Sequence, residues 1–556
     1  MKKVIMNAKI YTMNEQMPWA DTCIIDGEYI SYVGGYDAAL IDAGTEAYDM
    51  KGKMVIPGFI DSHTHAGNIA TTGYIIEIPP FDDAEELCRY VGAYAVEHPL
   101  IPYFFMTSYD TTLFGEAGPR KEMLDRYLPD RPCMIEDTTG HIHWVNSKML
   151  ELMEITSGTP DPLPGLIVFV RDSDGSPSGC LREWAWLDHI DKMYDKIGWR
   201  PPQPDPDLMQ HFFDSINKFG ITAMTEGFIQ SEAEIESVYR LDIEGKLFCY
   251  YDGMVRCDTF AELPERIKLL KDWQQKYTSR HVKIETMKVF LDGTNECGNS
   301  ASLEPYSNDP AGTNFGNLSM DTEELTKYFL LCNEEGLDIH LHIVCDRGFR
   351  TACDAAGAAM TEAGAGWRSQ ITLAHCELID PADMLRPVEL GLIVNFTPSW
   401  AGGFFGEAAK EYLGEERWNR MYQFGPMIDA GVVITFCDDN IFFFGIFRMD
   451  PFSGMQIGAT RVDHDFPLDP EKYPGSVRPP ESAKLSVETM LKGYTLNGAI
   501  QNRMAGSMGS IEAGKLANMS VLSENCLSVP HERLSEVKVE TVLFEGKVIH
   551  GDLRAE

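Results

Sequence analysis

The chain has 556 residues, 44% of them hydrophobic, and a formal net charge of −38 at pH 7. With no compensating cluster of Lys or Arg, that charge disfavours nucleic acid as a partner. No uninterrupted apolar stretch reaches the roughly 20 residues that cross a bilayer, so we expect a soluble protein without a membrane partner. The first residues lack the apolar segment of a signal peptide, and the 13 cysteines form no CxxC pairs, which favours the cytoplasm.

Both ends of the chain are predicted to form short β-strands. Residues 1–56 contain alternating and apolar runs with a turn at Asp26-Gly27, and the last two runs of the chain meet at Glu545-Gly546. We predict that residues 1–56 and 507–556 build one small β-domain together. The catalytic unit, residues 57–506, is then inserted between them.

Between these ends, helix-like segments alternate with short apolar runs. The apolar runs are 220–228, 285–293, 337–344, 369–377, 390–399 and 430–439. Buried parallel strands that alternate with helices are what a (β/α) barrel requires, so the pattern predicts an α/β fold of that kind. A barrel with insertions also accommodates a chain that is too long for one ordinary core.

One long segment, residues 70–215, does not follow this alternation. It is irregular in pattern and rich in Pro, Asp and aromatic residues. Because it exceeds a normal barrel connection, we predict an elaboration over the barrel mouth that sets substrate specificity. Its Trp144, Trp184 and Trp186 are candidates for an apolar pocket. The proline-rich stretch 198–207 is predicted to be a rigid linker back to the barrel.

Several histidines lie where an apolar run ends. They are His63 and His65, His340 and His342, and His375. The carboxyl ends of barrel strands form the active face, and residues two apart in a strand share a face, so His63 and His65 are suited to hold one cation. The alternative is that each histidine is a buried, hydrogen-bonded imidazole.

Two further positions carry candidate chemistry. The last apolar run ends in Asp438 and Asp439, where a carboxylate is suited to bind a metal and to take a proton from water; the alternative is an exposed acidic turn. Lys288 interrupts the run 285–293. It is either a carbamate-forming lysine that bridges two cations or a structural lysine paired with Asp292.

These blocks, "PGFIDSHTH", "LHIVCDR", "ITLAHCE", "GVVITFCDD" and "GSIEAGKLANMSVL", resemble the amidohydrolase superfamily. The stretches 131–150, 167–185, 287–293, 450–461 and 485–499 are similar to its family 3, or YtcJ-like, branch. The resemblance implies a (β/α)8 TIM-like barrel with a small β-sandwich made from both chain ends. It implies the metal ligands His63, His65, Lys288 (carboxylated), His342, His375 and Asp439, with His340 as a neighbour.

The resemblance also suggests residues over the barrel mouth. His141 is expected to contact the substrate or the transition state, with His143 and Asn146 as further candidates. Glu183 is expected to support or contact the substrate, and Asp346 with Arg347 to brace the site, Arg347 also as a substrate-binding candidate.

The sequence thus predicts a metal-dependent hydrolase that cleaves a non-peptide C–N bond in an amide, N-acyl or N-formyl compound. One or two divalent ions, zinc by preference, activate water, and Asp439 transfers the proton. The alternatives are a deaminase of the same superfamily, disfavoured because no glutamate follows His342 in an H-x-x-E arrangement, and a non-catalytic metal-binding or regulatory barrel. The expected partner is a small molecule, and the expected assembly to test is a homodimer.

Overall fold

Eight parallel strands form the centre of the protein. The computed structural model describes residues 2–41, 44–114, 118–403 and 406–554. Each of the eight strands is hydrogen-bonded to its neighbour in chain order. They are Phe59–Thr64, Ile221–Glu226, Tyr250–Arg256, Val282–Phe290, Asp338–Ile343, Ile371–His375, Ile393–Phe396 and Val433–Phe436. A 3.1 Å hydrogen bond from Asp439 N to His63 O joins the end of the series to the first strand. The predicted α/β barrel is confirmed.

Helices surround these strands and bury one face against them. Their starts are encoded locally: Asp205 accepts the N–H of Leu208 ahead of Pro206, and Ser231 and Asp321 cap later helices in the same way. The helices of this layer are Ala66–Thr71, Pro206–Asn217, Glu232–Ile243, Leu263–Tyr277, Thr322–Glu334, Asp346–Ala363, Arg386–Leu390, Ala409–Asn419, Gly425–Asp429, Pro451–Thr460, Val487–Lys492 and Gly498–Gln501.

The two chain ends form a pair of sheets. One contains Tyr29–Gly34, Thr22–Asp26, Lys2–Met6 and Glu46–Asp49 in that spatial order. The other contains Lys547–His550, Val539–Phe544, Met519–Leu522, Met54–Pro57, Lys9–Tyr11 and Trp19–Ala20. Apolar side chains from both sheets, such as Ile25 and Leu543, share one core. This is the small β-sandwich of the predicted fold class.

The segment between the first barrel strand and the helix Pro206–Asn217 is more regular than its sequence suggests. It contains a six-stranded mixed sheet in the order Val168–Arg171, Pro177–Arg182, Ile142–Val145, Cys133–Asp137, Phe104–Tyr109 and Ile76–Glu77. Its helices are Ala84–Glu97, Lys121–Asp125, Ser147–Met153 and Leu187–Ile197. Separate apolar clusters cover the two faces. The segment is therefore a packed unit.

Among the residues that the structure describes, no helix is long and apolar enough to cross a membrane.

Candidate metal centre and active-site cavity

Six side chains converge at the carboxyl end of the barrel. They are His63, His65, Lys288, His342, His375 and Asp439, which lie at or just after the ends of the first, fourth, fifth, sixth and eighth strands. The ends of parallel strands meet at one edge, which is why residues so far apart in the sequence share a site. All are buried except Asp439, whose side chain is 11% exposed.

Asp439 lies at the centre of this group. Its Oδ1 is 3.2 Å from His65 Nε2 and 3.6 Å from His63 Nε2, and its Oδ2 is 3.6 Å from His375 Nδ1. Donor atoms of His63, His65 and Asp439 lie within 4.8 Å of one another. The neighbouring Asp438 instead accepts a 3.4 Å hydrogen bond from Ser399 Oγ. The structure therefore directs Asp439, rather than Asp438, towards the histidines.

Lys288 belongs to the same cluster. Its side chain is fully buried and its Nζ lies 3.2 Å from His63 Nε2. In the described ranges no ion pair joins it to Asp292, whose carboxylate accepts the N–H groups of Val344, Cys345 and Ala301. Burial lowers the pKa of Lys288 to about 7. The structural pairing with Asp292 is therefore excluded, and the amine is easily deprotonated.

The donor set suits a divalent metal. Burial first, and then the charge of Lys288 or of neighbouring histidines, hold the pKa values of His63, His342 and His375 well below the usual range, so these imidazoles are neutral. His65 Nδ1 and His375 Nδ1 are buried without a hydrogen-bonding partner. Burial also opposes the charge of His65, but Asp439 and Glu226 raise its pKa to about 9, so a metal must displace a proton from this imidazole. Imidazoles and a carboxylate with unused lone pairs are what a site for zinc or a similar ion requires.

The backbone at the site is strained where it positions the side chains. His375 and Asp439 have φ of 73° and 57°, in the left-handed region that disfavours residues with a Cβ. Gly227 must lack a side chain, because a Cβ there would lie 2.4 Å from the His65 ring. The strained backbone at His375 and Asp439 and the glycine at 227 therefore allow the side chains of the cluster to come together.

Two residues outside the predicted ligand set lie against its first histidines. His340 Nε2 lies 2.9 Å from His63 Nδ1, so a His63 that coordinates through Nε2 donates its Nδ1–H to His340. Glu226, at the end of the second strand, accepts the N–H of Ala66, and its Oε1 lies 3.7 Å from His65 Nδ1. The sequence analysis did not single out Glu226, although its place at the end of the run 220–228 was a usable signal.

We expect His340→Phe to weaken metal binding by about 10- to 100-fold, because a ligand loses the hydrogen bond that fixes its tautomer and orientation. Competition with a chromogenic chelator measures this affinity directly, without reference to activity. His143→Phe, which replaces another buried histidine outside the cluster, is the matched control and should retain the wild-type affinity. Equal affinities of the two variants would contradict the role of His340.

A cavity of about 570 Å³ opens above the cluster. Asp439 and His342 lie in its floor, and His141 is part of its wall. Its aromatic lining comes from Trp400, Tyr422, Phe442, Phe444, Phe447 and Phe466. These residues follow the seventh and eighth strands, so the aromatics predicted from the inserted segment are not those that line the cavity.

His141 is held by a carboxylate of the inserted segment. Its Nδ1 lies 2.7 Å from Glu183 Oε2, and Glu183 Oε1 accepts a 2.8 Å hydrogen bond from Asn299. Glu183 has φ of 54°. Burial lowers the pKa of His141, but Glu183 outweighs burial, and the net shift is upward. His141 is therefore a fixed imidazole, able to donate a hydrogen bond into the cavity.

The structure places the other candidates of the inserted segment away from the cavity. His143 is fully buried against Trp186, and burial lowers its pKa to about 3. Asn146 caps the helix Ser147–Met153. Trp144 is in the core of the insertion. These side chains serve packing and hydrogen bonding within the insertion instead of contacting a ligand.

Arg347 also does not reach the cavity. Its guanidinium donates to the carbonyl oxygens of Ser302, Phe315 and Gly316. Asp346 accepts the N–H of Leu303 in the same loop. The pair therefore braces the long connection after the fourth strand.

Known proteins have sequences similar to that of this chain. Residues 46–550 match the model of the amidohydrolase family. The exoenzymes regulatory protein AepA of Pectobacterium carotovorum is 26% identical and covers 78% of this chain and 92% of its own. The putative amidohydrolase YtcJ of Bacillus subtilis is 24% identical over 99% of both chains. The N-substituted formamide deformylase of Arthrobacter pascens is 24% identical over 98% of this chain and 97% of its own.

Solved structures show the same fold. A metal-dependent hydrolase from Pyrococcus horikoshii superposes with a TM-score of 0.69 at 21% identity, and covers 96% of this chain and 99% of its own. The match of the family model covers most of the chain, and the buried histidines, lysine and aspartate lie at the carboxyl end of the barrel. The chain is a member of the amidohydrolase family, a metal-dependent hydrolase built on a (β/α)8 barrel.

Proposed function

We propose that the protein hydrolyses a non-peptide C–N bond in an amide, N-acyl or N-formyl compound. The observation that carries this proposal is the position of Asp439, which contacts three histidines and also faces a cavity large enough for a small molecule. The similarity to an N-substituted formamide deformylase supports the choice of bond.

We propose zinc, one or two ions, which His63, His65, His342, His375, Asp439 and a carboxylated Lys288 would hold. A bound divalent ion lowers the pKa of water and polarises a carbonyl group. Imidazole and carboxylate donors favour zinc over magnesium or calcium, which prefer oxygen ligands alone.

Asp439 and His141 have different roles in the proposed reaction. Asp439 takes a proton from the attacking water and delivers it to the leaving nitrogen. Burial opposes ionisation of Asp439, but His65 and Lys288 lower the pKa of its carboxyl group, which makes it an available base at neutral pH. His141 donates a hydrogen bond to the oxygen of the scissile carbonyl as negative charge develops there.

A screen of metal-replete protein tests the reaction class. N-formyl amines, N-acyl amino acids, cyclic amides and esters are supplied in parallel, and amine and acid products are quantified. We expect turnover of at least one amide class that disappears in His63→Ala. Ammonia release from a purine or pyrimidine panel would instead identify the deaminase alternative.

Glu183→Gln is expected to shift the pH profile of this reaction. Glu183 raises the pKa of His141, so the imidazolium persists to higher pH and activity that needs it falls as pH rises through that pKa. Removing the negative charge lowers this pKa, and the alkaline limb of kcat/KM moves to lower pH. A profile of kcat/KM against pH measures the shift, and an unchanged alkaline limb would remove His141 as the titrating group.

We further propose a cytoplasmic location and a homodimer. All 13 cysteines are free and buried, which is consistent with a reducing compartment. Light scattering on the purified protein tests the assembly. The similarity to a regulatory protein keeps a non-catalytic barrel as the alternative, but an intact ligand set beneath an open cavity favours the enzyme.

A further inference from the structure

Several carboxylates that the proposed reaction does not use line the cavity, among them Glu296 and Glu377. Glu296 lies in the connection after the fourth strand, and Glu377 lies two residues after His375. They are only 6% and 5% exposed. A buried carboxylate costs free energy unless a group of opposite charge or a hydrogen-bond donor compensates it, so each of the two needs such a partner.

Glu296 forms no ion pair with any residue that the structure describes. In residues 2–41, 44–114, 118–403 and 406–554, no Lys, Arg or His nitrogen lies within 4.0 Å of either Glu296 or Glu377, and the side chains outside these ranges are not basic. Glu377 Oε2 accepts a 2.9 Å hydrogen bond from Asn295. The Glu296 carboxylate accepts a hydrogen bond from its own backbone amide, and the charges of Arg478 and His141 act on it from a longer distance. It is thus a buried carboxylate on the cavity wall with no ion pair to another described residue.

The two nearest arginines do not neutralise this pair. Arg448 lines the cavity but already pairs with Asp463 at 2.7 Å and with Asp465 at 3.1 Å. Arg478 is buried behind the wall, with its guanidinium 4.4 Å from the centre of the Trp418 ring. Its charge reaches Glu296 and Glu377 through space. His141 also acts on Glu296, but its imidazole is already paired with Glu183, so Glu296 and Glu377 share the single charge of Arg478. The wall therefore keeps excess negative charge.

Aromatic rings complete the same cavity. Trp400, Phe442 and Phe447 line it, and the ring of Phe442 is stacked on Phe444 with a centroid distance of 5.0 Å. Aromatic faces attract cations, most strongly where water is excluded. The net charge of −38 adds a long-range attraction for cations and repels anions.

We propose that the substrate carries a positive charge, as an ammonium or guanidinium group, and that Glu296 with Glu377 receives that group while the aromatic rings bind its apolar part. This assignment rests on the proposed function and names the substrate class within it. Burial and the charge of Glu377 both raise the pKa of Glu296. A bound cation offsets both effects, so it stabilises the carboxylate in the ionised form.

The test compares three non-hydrolysable probes with one skeleton: phenylbutylammonium, phenylbutanol and phenylbutanoate. Calorimetry on the metal-replete wild-type protein gives the three dissociation constants. We expect the ammonium probe to bind at least about tenfold more tightly than the alcohol, a difference of about 1.4 kcal/mol, and the carboxylate probe to bind most weakly. Equal affinities, or a preference for the carboxylate, would overturn the proposal without any variant.

The Glu296→Gln variant tests whether the preference for the ammonium probe depends on Glu296. It should reduce the ratio of ammonium to alcohol affinity to within about threefold of unity. The matched control is Glu77→Gln, which removes a charge from an exposed residue at the same cavity and should leave the ratio unchanged, because solvent screens an exposed carboxylate. A ratio that survives in Glu296→Gln, or that falls equally in both variants, would contradict the assigned pair.

A second arm separates this inference from the proposed reaction. Hydrolysis is measured for N-formyl para-(aminomethyl)benzylamine and for its neutral counterpart, N-formyl para-ethylbenzylamine. A higher kcat/KM for the cationic compound supports both statements. Ammonium-selective binding without hydrolysis of any amide would overturn the reaction class and retain the cation site. Hydrolysis of both compounds without a preference for the cationic one would overturn the cation site and retain the reaction class.

Discussion

Asp439→Asn lowers kcat/KM for the hydrolysed amide by about 100- to 10,000-fold, the usual contribution of a positioned general base. Asparagine keeps the size of the side chain, but its amide group is too weak a base to take a proton from water. Because Asp439 contacts His63, His65 and His375, part of the loss also reflects weaker metal binding. Metal content, measured on the same samples, separates the two contributions.

Asp438→Asn is the matched control for this variant. It makes the same chemical change one residue away, on a side chain whose Oδ1 accepts from Ser399 rather than facing the histidines. Asp438 also lines the cavity, but its substitution leaves the contacts of Asp439 with the histidines in place, so we expect less than about a tenfold loss of kcat/KM. If Asp438→Asn lost activity as completely as Asp439→Asn, the assignment of the base to Asp439 would be wrong.

The convergence of the cluster residues was predictable because each lies at or near the end of a barrel strand. His63, His342 and His375 come at the carboxyl ends of their strands, and the barrel fold brings such ends together. The third strand, Tyr250–Arg256, escaped the sequence analysis because Asp252 and Gly253 interrupt it. In the structure Asp252 pairs with Lys283 of the next strand at 2.9 Å, an interaction that no local pattern reveals.

The cavity wall was harder to predict than the metal ligands. Its aromatic rings lie in the irregular segment around Phe442 and Phe447, whereas Trp144 and Trp186 pack within the inserted segment. Trp184 lies behind the wall, against His141 and Phe290. Glu296 and Glu377 were not predicted as site residues, because no local pattern distinguishes them from the other acidic residues in a chain that has 85. Burial distinguishes them, and burial depends on tertiary packing that composition does not encode.

Lys288→Gln is expected to remove about one metal ion per chain and to lower kcat by more than about 100-fold, since the loss of a ligand exceeds the usual effect of its supporting residues. A neutral lysine amine attacks carbon dioxide, forms an N–C bond and releases one proton, leaving a carbamate with two oxygen donors. Glutamine has a similar length but cannot form this group. Metal analysis and kcat measure the two effects.

The pH dependence of carboxylation gives an independent test. Burial lowers the pKa of Lys288 to about 7, so the reactive neutral amine is abundant above this pH and scarce below it. Metal-free protein given isotope-labelled bicarbonate and zinc should therefore develop a carbamate carbon signal faster above pH 7 than below it. Lys283→Gln on the same strand removes a lysine that is paired with Asp252, and it should retain the signal. A signal that persists in Lys288→Gln would assign the carbamate to another lysine and leave Lys288 as a plain amine in the cluster.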